Sequence, residues 1–338
     1  VELTEKDTIE YYEIKVDDKL IDQQVEMFAS RAGHYDKVEE YDGDKRDMLK
    51  GDLRELDENG NTLEGGVTVE AAVLMPQYIK VEDQKKLFDG AKLGDIITFN
   101  PRKAYPDNDA EVASLLKIDS AEVANHTGDF SYQITEISRF VNAENNKELW
   151  DNVYGKEADI KDEKQFRETI ATGLKGQLEG DSDYKFIQDV RAYAEKKVGK
   201  LQFPDAILKR IMLANNQDKG QEFVDKNYDM SVKELTWHLI KEQLAVANGV
   251  KVEDADVRES AIQMARAQFA QYGMNNVPDE YLKNYADEVL KKRENIDQFV
   301  EAALDRKLSA TLKKVVKLKK KKVTLDEFNK LAAPAENA

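Results

Sequence analysis

Between Phe203 and about Tyr272 the apolar residues fall into a rhythm that only helices satisfy. Phe203-Pro204-Asp205-Ala206-Ile207-Leu208 opens the stretch. Pro204 suits a first helical turn, where its missing N–H would lack a partner in any case. Ser231-Val232-Lys233-Glu234 has the form of a capping box, in which hydroxyl and carboxylate each satisfy a free backbone donor and mark a helix start. Leu235, Trp237, Leu239, Ile240 and Leu244 follow, and the pattern stops near Asn248-Gly249. Val250-Lys251-Val252-Glu253-Asp254 leads into a further helix with Val257, Ala261, Met264, Ala265 and Phe269, ending at Tyr272-Gly273-Met274. Polar stretches at Asn215–Met230 and Tyr272–Val277 break the series. Amphipathic helices joined by polar turns present apolar surface, and few of these residues are equipped for chemistry.

The same period holds from Glu148 onward. Asp162–Val198 carries Phe166, Ile170, Leu174 and Leu178, then Phe186, Ile187, Val190 and Tyr193, with Gly173, Gly176 and Gly180 expected to bend or break it. Pro278–Lys292 and Glu294–Val316 continue the pattern, and Thr324-Leu325-Asp326-Glu327 is a second capping box opening a short last helix. Ala332–Ala338 reads as a frayed end. The breaks fall at irregular intervals, which suits projecting helical hairpins better than a solenoid.

Residues 46–140 obey a different rule. Met48–Leu56, Val67–Leu74, Ile96–Phe99 and Phe130–Phe140 read as strands, and Asp57-Glu58-Asn59-Gly60-Asn61 as a turn, since Asn-Gly accepts the positive φ values tight turns need. A short helix is expected at Asp83–Phe88. Residues 1–45 read as an extended segment followed by a helix with Ile21, Val25, Phe28 and Ala32 on one stripe, too little to fold alone. The expectation is an α+β chain: a connector at 1–45, a small antiparallel sheet domain at 46–142, and a mostly helical domain at 143–338 with projecting hairpins.

Composition narrows the chemistry. A net charge of −16 argues against nucleic acid, whose binding rests on clustered Lys and Arg. The one basic run, Lys313-Lys314-Val315-Val316-Lys317-Leu318-Lys319-Lys320-Lys321-Lys322, suits a helix C-terminus followed by a solvated exit, or else a patch for an acidic partner. Without cysteine there is no disulfide, thiol nucleophile or thiolate metal site. His34, His126 and His238 are scattered without metal-ligand spacing, and no phosphate-cradling glycine loop is present, so no cofactor and no metal are expected. No apolar run approaches the ~20 residues needed to span a bilayer, so no membrane is expected as partner.

Three stretches together resemble a known family. Leu49-Lys50-Gly51, Asn59-Gly60-Asn61-Thr62-Leu63-Glu64-Gly65-Gly66, Gly90-Ala91-Lys92-Leu93-Gly94-Asp95 and Phe99…Tyr105 resemble the FK506-binding-protein type of prolyl isomerase domain. Phe203-Pro204, Ala247-Asn248-Gly249-Val250-Lys251-Val252-Glu253-Asp254 and Phe269-Ala270-Gln271-Tyr272-Gly273-Met274 resemble the C-terminal domain of trigger factor, the ribosome-associated chaperone family. Residues 1–45 look like the linker that precedes them there. The family's ribosome-docking domain, with its Gly-Phe-Arg-x-Gly-Lys loop, is not recognised among these residues, so ribosome contact is expected only through a segment not seen here.

The resemblance implies a function and a set of residues. Prolyl isomerisation needs no nucleophile, only an apolar cup that favours the twisted amide over a planar one whose barrier is roughly 18–20 kcal/mol. Tyr105 matches the family's peptide-holding Tyr and Phe130 its last-strand aromatic; Glu64 stands where the family places an acid, and Leu63 where it has an aromatic. Leu49 replaces another aromatic, and the Ile-Pro-Gly-Phe floor is missing near Tyr78–Gln84. Such an eroded cup implies weak or absent isomerase activity. The helical half implies an ATP-independent chaperone in the cytoplasm, monomeric or dimeric, that binds unfolded or nascent polypeptides. Met212, Phe223, Tyr228, Met230, Phe269, Tyr272, Met274 and Tyr281 are the candidate client-binding residues near the polar breaks. An active isomerase with a helical recruiting arm, and a module that docks one folded partner, are the alternatives.

Overall fold

The computed structural model describes residues 1–333. Residues 334–338, within the stretch expected to fray, lie outside the described residues. In chain order the elements are β1 (Thr8–Ile14), α1 (Asp18–Arg31), β2 (His34–Val38), β3 (Asp47–Glu55), β4 (Thr68–Leu74), α2 (Glu82–Lys85), β5 (Ile96–Phe99), α3 (Pro101–Ala104), α4 (Asp109–Leu116), β6 (Phe130–Val141) and α5 (Lys147–Tyr154). Then follow α6 (Glu163–Val198), α7 (Asp205–Asn215), α8 (Gly220–Ala247), α9 (Asp254–Gln271), α10 (Asp279–Leu290), α11 (Arg293–Val315), β7 (Lys317–Val323) and α12 (Leu325–Ala332). The chain divides into two units, Glu26–Leu149, and Val1–Val25 with Trp150–Ala338. The fold is α+β, with an antiparallel sheet in the first and helices dominating the second.

The sheet unit is ordered β2-β6-β3-β4, all antiparallel, and β5 joins β6 at its other end. Alternation along β3 sends Leu49, Gly51, Leu53 and Glu55 inward. Gly51 is required where it stands: a Cβ there would meet the Gln133 carbonyl oxygen at 2.4 Å and the Tyr132 ring at 2.6 Å. The β3 registers with both neighbours shift at this residue, a bulge that lets Tyr132 lie across the strand. Phe88, Phe99 and Tyr132 meet edge to face with centroids 5.2–6.4 Å apart at the centre of the core. The Tyr132 hydroxyl donates to the Ala72 carbonyl at 2.6 Å. Asp47, fully buried, takes both Arg139 donors at 2.8 and 2.9 Å and the Asp42 N–H at 2.8 Å. Asn59-Gly60 forms its turn as expected: Gly60 has φ +82°, and Asp57 Oδ1 accepts from the N–H groups of Asn59 and Asn61.

In the helical unit, β1 packs on α6, and Ile9 and Tyr11 join Phe186, Val190, Trp237, Leu244, Leu308 and Leu312 in one core. Asp7 ends the turn before β1, accepting from the Thr4 N–H, the Tyr193 hydroxyl and Lys197. Lys241, buried on α8, reaches Glu301 at 2.7 Å and Asp305 at 2.9 Å on α11. A second core, with Ala261, Ala265, Leu282, Ala286 and Phe299, holds α9, α10 and α11. The Thr324 capping box is realised at α12, whose Phe328 covers Tyr12 and Val323.

Three local expectations are corrected. α6 runs unbroken through Gly173, Gly176 and Gly180; an added Cβ at any of them meets nothing, so they lie on an open side while Phe166, Ile170 and Leu178 are buried. Ser231-Val232-Lys233-Glu234 does not open a helix: α8 already runs through it, because Val224 and Tyr228 carry the buried stripe back into the supposed polar break. The basic run leaves α11 with its lysines exposed, but as a strand and not as an unpaired exit. Lys313 and Lys314 do end α11, but the following lysines form β7, which pairs in parallel with β1 from Thr8↔Lys317 to Ile14↔Val323.

Candidate functional site

In the sheet unit the isomerase-like residues start from α3. Asn100 caps that short helix, its Oδ1 accepting from the Lys103 N–H while its amide nitrogen donates to the Thr127 carbonyl at 2.9 Å and to Asp129 at 3.0 Å. This fixes Tyr105 at the helix end, half-buried against the core, with no hydrogen-bond partner for its hydroxyl among the described residues. Burial pushes the phenol up to about 12, so it stays a proton donor at physiological pH. Phe130, in the same core cluster, is fully buried opposite Glu55 and Phe99 and has no face left for a ligand. Leu63 is exposed and held by its N–H to the Glu55 carbonyl at 2.8 Å; Glu64 is exposed beside it. The arrangement thus has one available donor, one exposed aliphatic and one solvated acid, with the expected aromatic wall withdrawn into the core.

Sequence reasoning missed Glu55 and His126. The Glu55 carboxylate is buried, accepts the Val67 N–H at 3.1 Å and meets His126 Nδ1 at 2.8 Å. His126 is therefore a structural tie beneath the Leu63 turn, and among the described residues no cluster suited to a metal ion exists. Alternation along β3 points Glu55 inward, and that was the legible signal.

The helical unit carries the other candidate surface. α7 packs on α8, yet none of its residues is buried. Ile207 and Ile211, one turn apart, are 56% and 52% exposed. Met230 on α8 is 68% exposed. Met212 and Phe223 are half-buried, with Lys219 Nζ 4.7 Å from the Phe223 ring. Tyr228 is a correction: it is buried, its hydroxyl donates to Asp205 and Lys209 lies over its ring, so it fastens α7 to α8 instead of facing a client. At the α9–α10 turn Tyr272 is 81% exposed, and Met274 and Tyr281 are exposed too. Phe269 is half-buried, edge-on to Tyr285 at 5.5 Å. Tyr272 and Met274, past the end of α9, face water, as do Met230 within α8 and Tyr281 in the first turn of α10, whereas Met212, Phe223, Tyr228 and Phe269 are at least half-buried. Ile207 and Ile211 were missed because their four-residue spacing reads equally well as core.

Two family models match the chain. Residues 35–142 match the probable trigger factor, FKBP-like domain, and residues 182–332 match the probable trigger factor, C-terminal domain. The chain belongs to the trigger factor family. The two matches take in about three-quarters of it. Its chain is also similar to a solved structure from work on promiscuous substrate recognition in folding and assembly by the trigger factor chaperone. That likeness has a TM-score of 0.43 and 14% identity, over 92% of this chain and 72% of that one. No curated protein matches. Among the described residues of this trigger factor family member, no helix is long and apolar enough to cross a membrane.

Proposed function

We propose that this chain is an ATP-independent chaperone that holds unfolded or nascent polypeptides on the apolar side chains of its helical hairpins. The observation that carries the reading is the pair of uncovered patches, Ile207, Ile211 and Met230 on α7–α8, and Tyr272, Met274 and Tyr281 at the α9–α10 turn. Apolar area removed from water contributes about 25 cal/mol per Å², so several half-open side chains bind many sequences weakly and release them without a fuel. The net charge of −16 keeps copies with such patches from associating. The place of work on this reading is the cytoplasm, where unfinished chains emerge.

The FKBP-like domain is, on this reading, a slow isomerase at best. Tyr105 supplies a donor for a peptide carbonyl, but the buried Phe130 and the aliphatic Leu63 give little aromatic surface to grip a proline ring. Two assays on one variant test the division of labour. Tyr105→Ala is expected to leave suppression of aggregation of a denatured model protein unchanged. If aggregation suppression instead falls in step with proline-peptide turnover, the chain is an isomerase with a recruiting arm.

A further inference from the structure

Among the described residues, the two-stranded sheet of the helical unit leaves both outer edges without a neighbouring strand, and the edge along β7 is the most basic stretch of an acidic chain. Among the described residues β7 pairs only with β1. In a parallel pair, alternate residues of a strand bond to a given neighbour. The Lys317 N–H donates to the Asp7 carbonyl at 2.9 Å, and the Val323 carbonyl accepts from the Lys15 N–H at 3.0 Å. Lys317, Lys319, Lys321 and Val323 therefore address β1. The backbone groups of Leu318, Lys320 and Lys322 point to the other edge, where the described residues place no further strand.

The side chains match. All five lysines of β7 are exposed. Lys321 reaches Glu10 at 2.8 Å and Lys320 reaches Glu13 at 3.8 Å, so the two carboxylates that β1 carries already pair with lysines of this strand. Lys317, Lys319 and Lys322 have no carboxylate within 4 Å among the described residues. A lysine-rich edge repels a second copy of itself, and the same charge attracts an acidic strand. The chain's remaining negative charge acts weakly beyond a Debye length of about 8 Å.

We propose that the free edge of β7 binds an acidic, extended peptide by strand addition. Its backbone would bond to Leu318, Lys320 and Lys322, and its carboxylates would lie beside the unpaired lysines. This site uses a polar edge and stands apart from the apolar hairpin patches.

The test uses the full chain and a fluorescein-labelled peptide of alternating Glu and Thr, about ten residues long. Saturable binding is expected, with amide exchange at Leu318, Lys320 and Lys322 slowing on addition of peptide; the Lys319 and Lys321 amides, already bonded to β1, change little. Lys320→Pro removes an outward N–H and no backbone bond to β1, and the Glu13 contact it also loses is long and exposed, so it is expected to weaken binding by about tenfold or more with the thermal midpoint kept. Binding with no slowing at those three amides, or equally tight binding of a single-stranded oligonucleotide, would show attraction by charge alone and overturn the proposal. So would the absence of saturable binding. If Lys320→Pro fails to fold, the exchange pattern of the natural sequence decides.

Discussion

Ile207 and Ile211 give the sharpest measurement, because their exposure predicts opposite behaviour for stability and for client binding. Fully burying an isoleucine stabilises by about 1.5–3 kcal/mol, and each of these still has about half its surface open to water. A client that covers both gains about 1 kcal/mol from each, or about 2 kcal/mol, which is roughly thirtyfold in Kd. Gln matches Ile in length and is the better helix former, so Ile207→Gln/Ile211→Gln should not harm α7. The assay is fluorescence anisotropy of a labelled, permanently unfolded polypeptide titrated with each chain, alongside a thermal melt. The expected result is an unchanged melting midpoint with a Kd about thirtyfold weaker. An affinity within about threefold of the natural chain would refute the assignment of this face to clients. A drop of several degrees would show instead that the two side chains are packed.

Other substitutions probe the framework. Asp47→Ala is expected to cost about 3 kcal/mol in urea unfolding of the sheet unit, the low end for breaking a buried ion pair, since Arg139 keeps partial access to water. Phe130→Ala is expected to cost about 3–5 kcal/mol by the same measurement, so any activity it loses reports on folding. At Asp7, burial favours the neutral acid, but the Thr4 N–H, the Tyr193 hydroxyl and Lys197 outweigh it and hold the carboxyl below its ordinary value. A depressed folded pKa stabilises fully above the unfolded value of ~4 and is lost as pH falls through the folded one, so Asp7→Asn should flatten the stability loss below about pH 5. Parallel acid profiles for the two chains would contradict that. Any Tyr105-dependent prolyl isomerisation should be level between about pH 6 and pH 9, because the phenol keeps its proton; an inflection in that range would remove Tyr105 as the donor.

What could be read in advance was whatever neighbouring residues settle among themselves. Ile96–Phe99 forms its strand at the expected bounds, Asn59-Gly60 its turn, and Thr324-Leu325-Asp326-Glu327 its cap. The capping box at Ser231 has the same local credentials and failed, since burial of Val224 and Tyr228 outweighs a cap worth about 1 kcal/mol. β7 was illegible for another reason. Lysine has no strand preference, and the partner that makes Lys317–Val323 extended lies about 300 residues away. In the site, Tyr105 could be placed from its neighbours, whereas the withdrawal of Phe130 depends on how Phe88, Phe99 and Tyr132 fill the space around it.

The union of the first strand with the last also sets a timetable for the chain's own making. At about 5–20 residues per second, β1 leaves the synthesis machinery roughly 15–60 s before Lys317 does. The FKBP-like sheet draws all its strands from residues 34–141 and can close in the interval. Through that wait Ile9 and Tyr11 lack Leu308, Leu312 and Leu318 to cover them. A chain stopped short of Lys317 would keep a finished sheet unit and an apolar strand with nothing to zip to.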